Sequence, residues 1–153
     1  SQARASESFI RGLGSADLMV ICPSNPFVSV GPILALPAIR RRIEQFAGPR
    51  IAVSPVASGI AFKGPVVKMM SELGVDTSVV GIAQFYRGLV DVLVIHNSDR
   101  DLAEDVRRAG VEPHVTDISM GDRHEKSRLA LEILKLANLM SDKNNPARDD
   151  QNE

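Results

Sequence analysis

The sequence has little of the residue types that mark several large classes of protein. It contains one cysteine, no tryptophan, one tyrosine and five phenylalanines among 153 residues. A single cysteine excludes an internal disulfide framework and fits a reducing cytosol. Lys and Arg number 18 against 19 Asp and Glu, so the net charge is −1, with no basic block. Because clustered cations and stacking rings are both scarce, we expect no nucleic-acid partner.

Long apolar runs are also lacking. None approaches the roughly 20 residues that span a bilayer, and the first residues lack the apolar segment of a signal peptide. We therefore expect no membrane partner and a cytoplasmic location. The chain begins at Ser1 without an initiator Met, which favours a fragment or a processed chain. Apolar residues make up 44% of the sequence, enough for one domain with a sizeable core.

Short apolar runs alternate with helical periodicity along the chain. The runs predict strands over Asp17–Cys22, Ile51–Val56, Asp91–Ile95 and Val111–Thr116. The helices are predicted over about 4–14, from Pro37, from Gly64-Pro65, over Thr77–Tyr86, from Ser98 to Gly110, and finally along the stripe Leu129, Ile133, Leu136 and Met140. This alternation is typical of βα units on a parallel sheet. We assign residues 1–140 to the α/β domain and expect the polar residues 141–153 to be a disordered tail.

Three local patterns predict helix ends. Gly48-Pro49 is typical of a C-terminal glycine stop. The spacings Ser98-x-x-Asp101 and Ser119-x-x-Asp122 resemble capping boxes at helix starts.

Polar residues lie at or just beyond the carboxyl end of each predicted strand. They are Ser24-Asn25, Ser54-Pro55, His96-Asn97 and Thr116-Asp117. Because ligands of open parallel sheets bind beyond the carboxyl ends of the strands, we expect the functional site at this edge.

The first strand leads into a proline-bounded loop, Pro23-Ser24-Asn25-Pro26, followed by Ser29 and Gly31. A strand, a small polar loop and a helix start can form an anion site, in which the helix start offers unpaired backbone N–H groups. Ser24, Asn25 and Ser29 are candidate ligands for phosphate. Alternatively they satisfy local backbone in turns, and Gly31 either lets a ligand approach or forms a turn. The loop is neither a Walker A nor a GxGxxG motif.

Other candidates are weaker. Lys63 and Lys68 flank Gly64-Pro65 and could neutralise a phosphate, or be solvated surface lysines. His96 and Asp117 follow strands; Asp117 could hold Mg²⁺ or a substrate hydroxyl, or cap a turn.

Structural roles are expected for two further residues. Cys22 is expected to be a small core residue, because it ends a strand predicted to be buried. Asp91 is expected to be structural, because it starts a strand at its amino end.

Four segments in register resemble the 2-phospho-L-lactate transferase family of coenzyme F420 biosynthesis. The first is Ile21-Cys-Pro-Ser-Asn-Pro-Phe-Val-Ser-Val-Gly-Pro-Ile33, which is similar to the family's Pro-Ser-Asn-Pro loop. The others are Val53-Ser54-Pro55 with Gly59, Lys63-Gly-Pro-Val-Val-Lys-Met-Met70, and Thr116-Asp-Ile-Ser-Met120. The similarity extends over residues 18–135.

The resemblance implies a Rossmann-like three-layer fold with a mostly parallel sheet, incomplete at the amino-terminal side. It implies transfer of a 2-phospholactyl or phosphoenolpyruvyl group from a guanosine diphosphate ester to the deazaflavin Fo, with release of GMP. Ser24, Asn25, Pro26, Ser29, Gly31, Lys63 and Gly64 map onto segments expected to bind the nucleotide substrate. Mg²⁺ would serve the full-length enzyme, with Asp117 a weak candidate ligand, and we expect a homodimer.

The chain resembles only the carboxyl-terminal half of family members, whose other half opens with a Gly-Gly-x-Gly-Gly turn and supplies acidic metal ligands. We therefore expect this portion alone to be inactive. Two other hypotheses stay open: a non-catalytic regulator that binds nucleotides or sugar nucleotides on a related fold, and a structural half that completes a sheet without a ligand.

Overall fold

The computed structural model describes residues 3–62 and 64–144, with side chains to residue 142. The chain forms two compact units, Ser1–Ile118 and Ser119–Glu153. Strands occupy only the first unit among the described residues: β1 (Met19–Ile21), β2 (Arg50–Val53), β3 (Val56–Ala57), β4 (Ile60–Ala61), β5 (Val92–His96) and β6 (Glu112–Thr116). Its helices are α1 (Glu7–Ser15), α2 (Gly31–Leu34), α3 (Pro37–Glu44), α4 (Val66–Glu72), α5 (Val79–Tyr86) and α6 (Ala103–Arg108). The second unit contains α7 (Arg123–Asn144).

The main sheet is parallel, with strand order β1-β2-β5-β6. Its register places Val20 beside Ile51, and Ile51 beside Val92. The central strands β2 and β5 are almost wholly buried and rich in Val and Ile, as expected for strands covered on both faces. All four predicted strands are present, and the Rossmann-like α/β class is confirmed.

The amino ends of the central strands are joined by an ion pair. The guanidinium of Arg50 contacts both carboxylate oxygens of Asp91, and the Arg50 backbone N–H donates to Asp91 Oδ2 at 2.9 Å. The Asp91 N–H donates to the Arg50 carbonyl at 2.8 Å. Asp91 is therefore structural, as predicted from its position at the amino end of a strand.

Ser78 sets the start of helix α5, and Gly81 allows one close packing contact. Ser78 caps the helix by accepting from the Val80 N–H at 3.1 Å, so the helix begins two residues after the predicted start at Thr77. Gly81 lies against the carbonyl of Asp76, where a Cβ atom would be 1.9 Å from the oxygen. No larger residue fits this position without moving the backbone.

The prediction that Gly48 stops α3 is wrong. The helix ends at Glu44, and Gly48 does not have the positive φ of a C-terminal glycine stop. Instead, the Asp17 carbonyl approaches Gly48 so closely that a Cβ atom would lie 2.3 Å from its oxygen. The glycine permits a backbone crossing before β2.

Both predicted capping boxes are also shifted. His96, not Ser98, caps the 3₁₀ turn Asn97–Leu102 that precedes α6. In the second unit, Asp122 Oδ1 accepts from the Glu125 N–H at 2.8 Å, while Glu125 Oε2 accepts from the Asp122 N–H at 3.3 Å. The box is therefore Asp122-x-x-Glu125.

Helix α7 continues to Asn144, into the segment predicted to be a tail, and residues 145–153 lie outside those described. Over the described part of the chain, no helix combines the length and the apolar character that crossing a membrane requires.

Candidate functional site

The carboxyl ends of the four parallel strands form one edge of the sheet, which we call the carboxyl edge. Ser24 and Asn25 follow β1, Ser54 follows β2, His96 ends β5, and Asp117 follows β6. The polar groups predicted to share an edge therefore do so, because the strands are parallel and in register.

The loop after β1 uses Asn25 as a structural cap. Asn25 Oδ1 accepts from the backbone N–H of Phe27 at 2.9 Å and of Val28 at 3.4 Å. The Asn25 carbonyl accepts from the N–H groups of Ser29 and Val30, both at 3.1 Å. These bonds begin a single π-helical turn, Pro26–Val30, that runs into α2.

The expectation that this helix start offers unpaired backbone N–H groups is wrong. Pro26 has no N–H, and the next four residues donate theirs to Asn25. An anion at this loop would therefore be bound by hydroxyl groups. The Asx-type cap predicted as the alternative for Asn25 is present.

Ser24 and Ser29 supply those hydroxyl groups. Both line a cavity of about 320 Å³ beside β1, whose other walls include Phe9, Leu13 and Ile33. Neither hydroxyl has a hydrogen-bond partner within the described part of the chain. The cavity thus combines a largely apolar wall with two available hydroxyls, a common composition for small-molecule sites.

Cys22 lines the same cavity and is exposed, so the prediction of a core residue is wrong. The strand ends one residue earlier than predicted, at Ile21, and β1 lies at the end of the strand order. A residue just beyond an outer strand is not enclosed on both sides as one in β2 or β5 is.

Gly31 is required by the π-helical turn itself. Its N–H donates to the Pro26 carbonyl, and a Cβ atom on Gly31 would lie 2.8 Å from that carbonyl oxygen. The turn alternative therefore accounts for this glycine.

The motif segment that ends at Met70 packs against the Pro-Ser-Asn-Pro loop. The Asn25 side-chain amide lies 3.4 Å from the Met69 sulfur on α4. Just before α4, Gly64 has φ +73° in open space, a conformation that favours glycine. Lys68 is exposed and lies 3.7 Å from Glu72, and Lys63 lies outside the described residues. The structure thus brings together the Pro-Ser-Asn-Pro loop and the Gly-Pro-Val-Val-Lys-Met helix.

A small hairpin, β3–β4, follows β2 at the carboxyl edge. Its two-residue turn, Ser58-Gly59, has positive φ at both positions, 50° and 69°, as a type I′ turn requires. Both carboxylate oxygens of Asp99 accept from the Ser58 N–H, at 2.9 and 3.1 Å. Burial raises the pKa of Asp99, while the Ser58 N–H and the positive potential of His96 partly offset that rise.

Sequence reasoning missed both Asp99 and this hairpin. The turn residues Ser58-Gly59 are a recognisable signal for a two-residue hairpin, but the flanking strands have only two residues each. Asp99 gives no local signal, since its partner is 41 residues away.

His96 and Asp117 meet where β5 and β6 end. His96 Nε2 lies 3.7 Å from Asp117 Oδ1. The ring of Phe62, which follows β4, makes an edge contact with the imidazole, with centroids 6.4 Å apart. The hairpin, the 3₁₀ turn and the end of β6 therefore form one continuous part of the carboxyl edge.

The residues at this edge do not make a magnesium site by themselves. No group of three or more His, Cys, Asp or Glu residues that could hold a metal occurs among the described residues. Asp117 lies beside His96, and the carboxylate of Asp99 is engaged by Ser58. Mg²⁺ prefers several oxygen ligands, which these side chains do not provide.

The family model described as 2-phospho-L-lactate transferase CofD matches residues 1–135. The chain belongs to the CofD family. It is 37% identical over 133 residues to a 2-phospho-L-lactate transferase of Methanocaldococcus jannaschii, covering 87% of this chain and 41% of that relative. It is 32% identical over 137 residues to a phosphoenolpyruvate transferase of Streptomyces griseus, covering 89% of this chain and 43% of that relative.

A third relative, a 2-phospho-L-lactate transferase of Methanothermobacter thermautotrophicus, is 31% identical over 134 residues. The chain spans less than half the length of each of these CofD relatives. Each of these relatives is named as a transferase, and the comparisons place this chain in their family.

Proposed function

We propose that this chain contributes the nucleotide-binding part of a transferase that moves a 2-phospholactyl or phosphoenolpyruvyl group to the deazaflavin Fo in coenzyme F420 biosynthesis. The donor would be the guanosine diphosphate ester of the small acid, in which the phosphate of the phosphoacid is joined to GMP through a bridging oxygen. A hydroxyl of the ribityl chain forms a new O–P bond, the bond to the bridging oxygen breaks, and GMP leaves. The hydroxyl proton is released to a base or to solvent.

One observation carries this proposal: two segments that resemble family motifs pack against each other at the carboxyl edge, through the Asn25–Met69 contact of 3.4 Å. The family match over residues 1–135 includes both segments, so the contact joins two motifs of the same family. In open parallel sheets, this edge is where nucleotides bind.

The roles of individual residues follow from the geometry. Ser24 and Ser29 would donate hydroxyl hydrogen bonds to phosphate oxygens in the 320 Å³ cavity. Asn25, Pro26 and Gly31 would hold the turn that presents them. Gly64 would set the start of α4, and Lys63 would supply positive charge.

Further elements of the proposal concern the intact protein. Mg²⁺ would serve the full-length enzyme, with ligands outside the residues described here. We also propose a homodimer in the cytoplasm, a compartment that fits the single cysteine.

The test is turnover by the intact protein, with every segment that its gene encodes. Purified protein is incubated with Fo, Mg²⁺ and the guanosine diphosphate ester of lactate or of enolpyruvate, and the products are separated by chromatography. We expect GMP and the phosphoacid conjugate of Fo in equal amounts. If neither ester yields a conjugate, the proposal fails.

Calorimetry distinguishes the regulator hypothesis. Titrations with GDP, a UDP-sugar and NAD should show a preference for the guanine nucleotide. Tight binding of the UDP-sugar without turnover would favour a non-catalytic regulator instead.

A further inference from the structure

The imidazole of His96 is held in one tautomer by the turn that it caps. The Ser98 backbone N–H lies 3.1 Å from Nδ1, and the Ser98 hydroxyl lies 2.7 Å from the same atom. A backbone N–H can only donate, so Nδ1 must present its lone pair. The proton of the neutral ring is therefore on Nε2.

Nε2 faces Asp117 across a short gap. The distance of 3.7 Å to Oδ1 exceeds the roughly 2.7–3.2 Å of an N–H···O hydrogen bond. The two atoms are too close for an oxygen atom to lie on the line between them, but an oxygen about 2 Å to the side of that line would be about 2.8 Å from each. Because Nε2–H donates and a carboxylate accepts, that oxygen must both accept and donate, as a hydroxyl does.

The surroundings of this gap suit a sugar or polyol. The side chains of His96 and Asp117 are 27% and 44% exposed, so a ligand can reach both. Phe62, with 47% of its surface exposed, gives an apolar wall beside the imidazole. Convergent polar groups beside an apolar wall are typical of small-molecule sites.

The distance between the His96–Asp117 pair and the loop after β1 suits one extended ligand. The ends of β5 and β6 are two and three strands away from β1 in the sheet order. At about 4.8 Å per strand, this separation is about 10–14 Å. A nucleotide or a polyol chain extended along the carboxyl edge would reach from one to the other.

We propose that His96 and Asp117 form a subsite for one sugar-type hydroxyl, which accepts from His96 Nε2–H and donates to Asp117. The inference rests on the proposed function for the nature of the ligand. Two parts of those substrates carry such hydroxyls, the ribose of the nucleotide and the ribityl chain of the acceptor.

The experiment measures the dependence of binding on individual hydroxyls, by calorimetry on the intact protein. One set of probes is GDP, 2′-deoxy-GDP and 3′-deoxy-GDP; the other is Fo and an analogue with a methyl group in place of the ribityl chain. In one set, we expect removal of the hydroxyl to weaken binding about tenfold, the value of one hydrogen bond to a well-placed partner.

Variants then assign that dependence to the two side chains. His96→Asn keeps an N-cap acceptor for Ser98 but removes the Nε2 donor, and Asp117→Ala removes the carboxylate acceptor. Each should weaken the hydroxyl-bearing probe about tenfold, leave the probe without that hydroxyl unchanged, and abolish the difference between them. His96→Gln, which places an N–H donor near the Nε2 position, should restore part of the difference.

Asp105→Asn is the matched control, because Asp105 is half-exposed on α6 and pairs with Arg108. It should leave all affinities unchanged. Melting curves establish which variants fold. Nitrogen NMR of the imidazole gives a separate readout, in which free His96 should show a protonated Nε2 whose resonance shifts when the hydroxyl-bearing probe binds.

Two results overturn the inference: wild-type binding that is independent of hydroxyls in both sets, or a dependence that survives in both His96→Asn and Asp117→Ala. Hydroxyl-dependent binding without group transfer would retain the subsite and remove the proposed function. If the wild type transfers the group but both variants still distinguish the two probes as the wild type does, the proposed function is retained and the subsite is removed.

Discussion

The carboxylate of Asp99 binds the backbone N–H of Ser58 with both of its oxygens, across 41 residues of sequence. Asp99 is 3% exposed, and Ser58 holds the left-handed conformation that starts the hairpin turn. The contact joins the β3–β4 hairpin to the 3₁₀ turn after β5. Replacing Asp99 therefore tests how the carboxyl edge is held together.

We predict that Asp99→Ala destabilises the protein by about 1–3 kcal/mol, because it leaves the Ser58 N–H without its acceptor. Asp99→Asn keeps one acceptor oxygen and should cost less. Urea unfolding gives the two free energies, and hydrogen exchange of the Ser58 amide should be faster in the alanine variant. Equal unfolding free energies for Asp99→Ala and wild type would contradict this account.

The Asp99 carboxyl group should also make the free energy of unfolding depend on pH. Burial raises the pKa of Asp99, so the folded chain holds this proton more tightly than the unfolded chain does. The stabilising contribution is then complete below the unfolded-state pKa of about 3.9 and is lost as the pH rises through the folded-state value. The free energy of unfolding of wild type, minus that of Asp99→Asn, should therefore decrease as the pH rises above about 4. Urea titrations at several pH values measure this difference, and an increase would show that the sign is wrong.

Two glycines in helices predict opposite effects of the same substitution. Gly81→Ala would place a Cβ atom 1.9 Å from the Asp76 carbonyl oxygen, so we expect a loss of about 1–3 kcal/mol or more. Gly12→Ala, in α1, adds a methyl group with nothing within 4 Å and should stabilise by about 0.5–1 kcal/mol. Thermal melts of the two variants provide matched measurements, and a gain for Gly81→Ala would be inconsistent with the observed packing.

Replacing Tyr86 by Phe should remove a polar atom with little loss of stability. Its side chain is wholly buried, and its hydroxyl has no hydrogen-bond partner among the described residues. Burial also raises the pKa of Tyr86 far above its ordinary value. Tyr86→Phe should leave stability unchanged or raise it by about 1 kcal/mol, since an unsatisfied buried hydroxyl carries a desolvation cost. A loss of more than about 1 kcal/mol in denaturant unfolding would indicate a hydrogen bond that the structure lacks.

Ser24 and Asn25 are adjacent but should behave differently. Asn25→Ala removes the cap of the π-helical turn and should reduce stability by about 0.5–2 kcal/mol. Ser24→Ala should leave the melting temperature unchanged and weaken GDP binding about tenfold, because its hydroxyl faces the cavity. Calorimetry and melting curves on the intact protein separate the two effects. Unchanged GDP affinity in Ser24→Ala would remove this residue from the site.

The sequence predicted the sheet well because its strands carry strong local patterns. Val92 to Ile95 is apolar throughout and β-branched at every position except Leu93, and this pattern alone identifies a buried strand. Parallel strands then require that Ser24, His96 and Asp117 share one edge. These predictions needed only local patterns and a general rule of topology.

The details of the site depended on contacts that local patterns do not contain. The role of Asn25 as a cap was one of two open readings, and only the hydrogen bonds decide between them. Gly48 matches the pattern of a helix stop, but its role comes from the carbonyl of Asp17, 31 residues earlier. Asp99 has its partner at a similar separation. The Gly48 and Asp99 interactions are formed only when distant segments come together, whereas the Asn25 hydrogen bonds are local.

The ion pair between Arg50 and Asp91 lies at the opposite end of the strands from every candidate ligand contact. The alignment of β2 with β5 is thus anchored where no substrate is expected to bind. Loops at the carboxyl edge can therefore be exchanged between relatives without disturbing this ion pair. A chimaera that takes its carboxyl-edge loops from a phosphoenolpyruvate transferase should therefore inherit the donor's substrate preference while keeping the strand alignment of this chain.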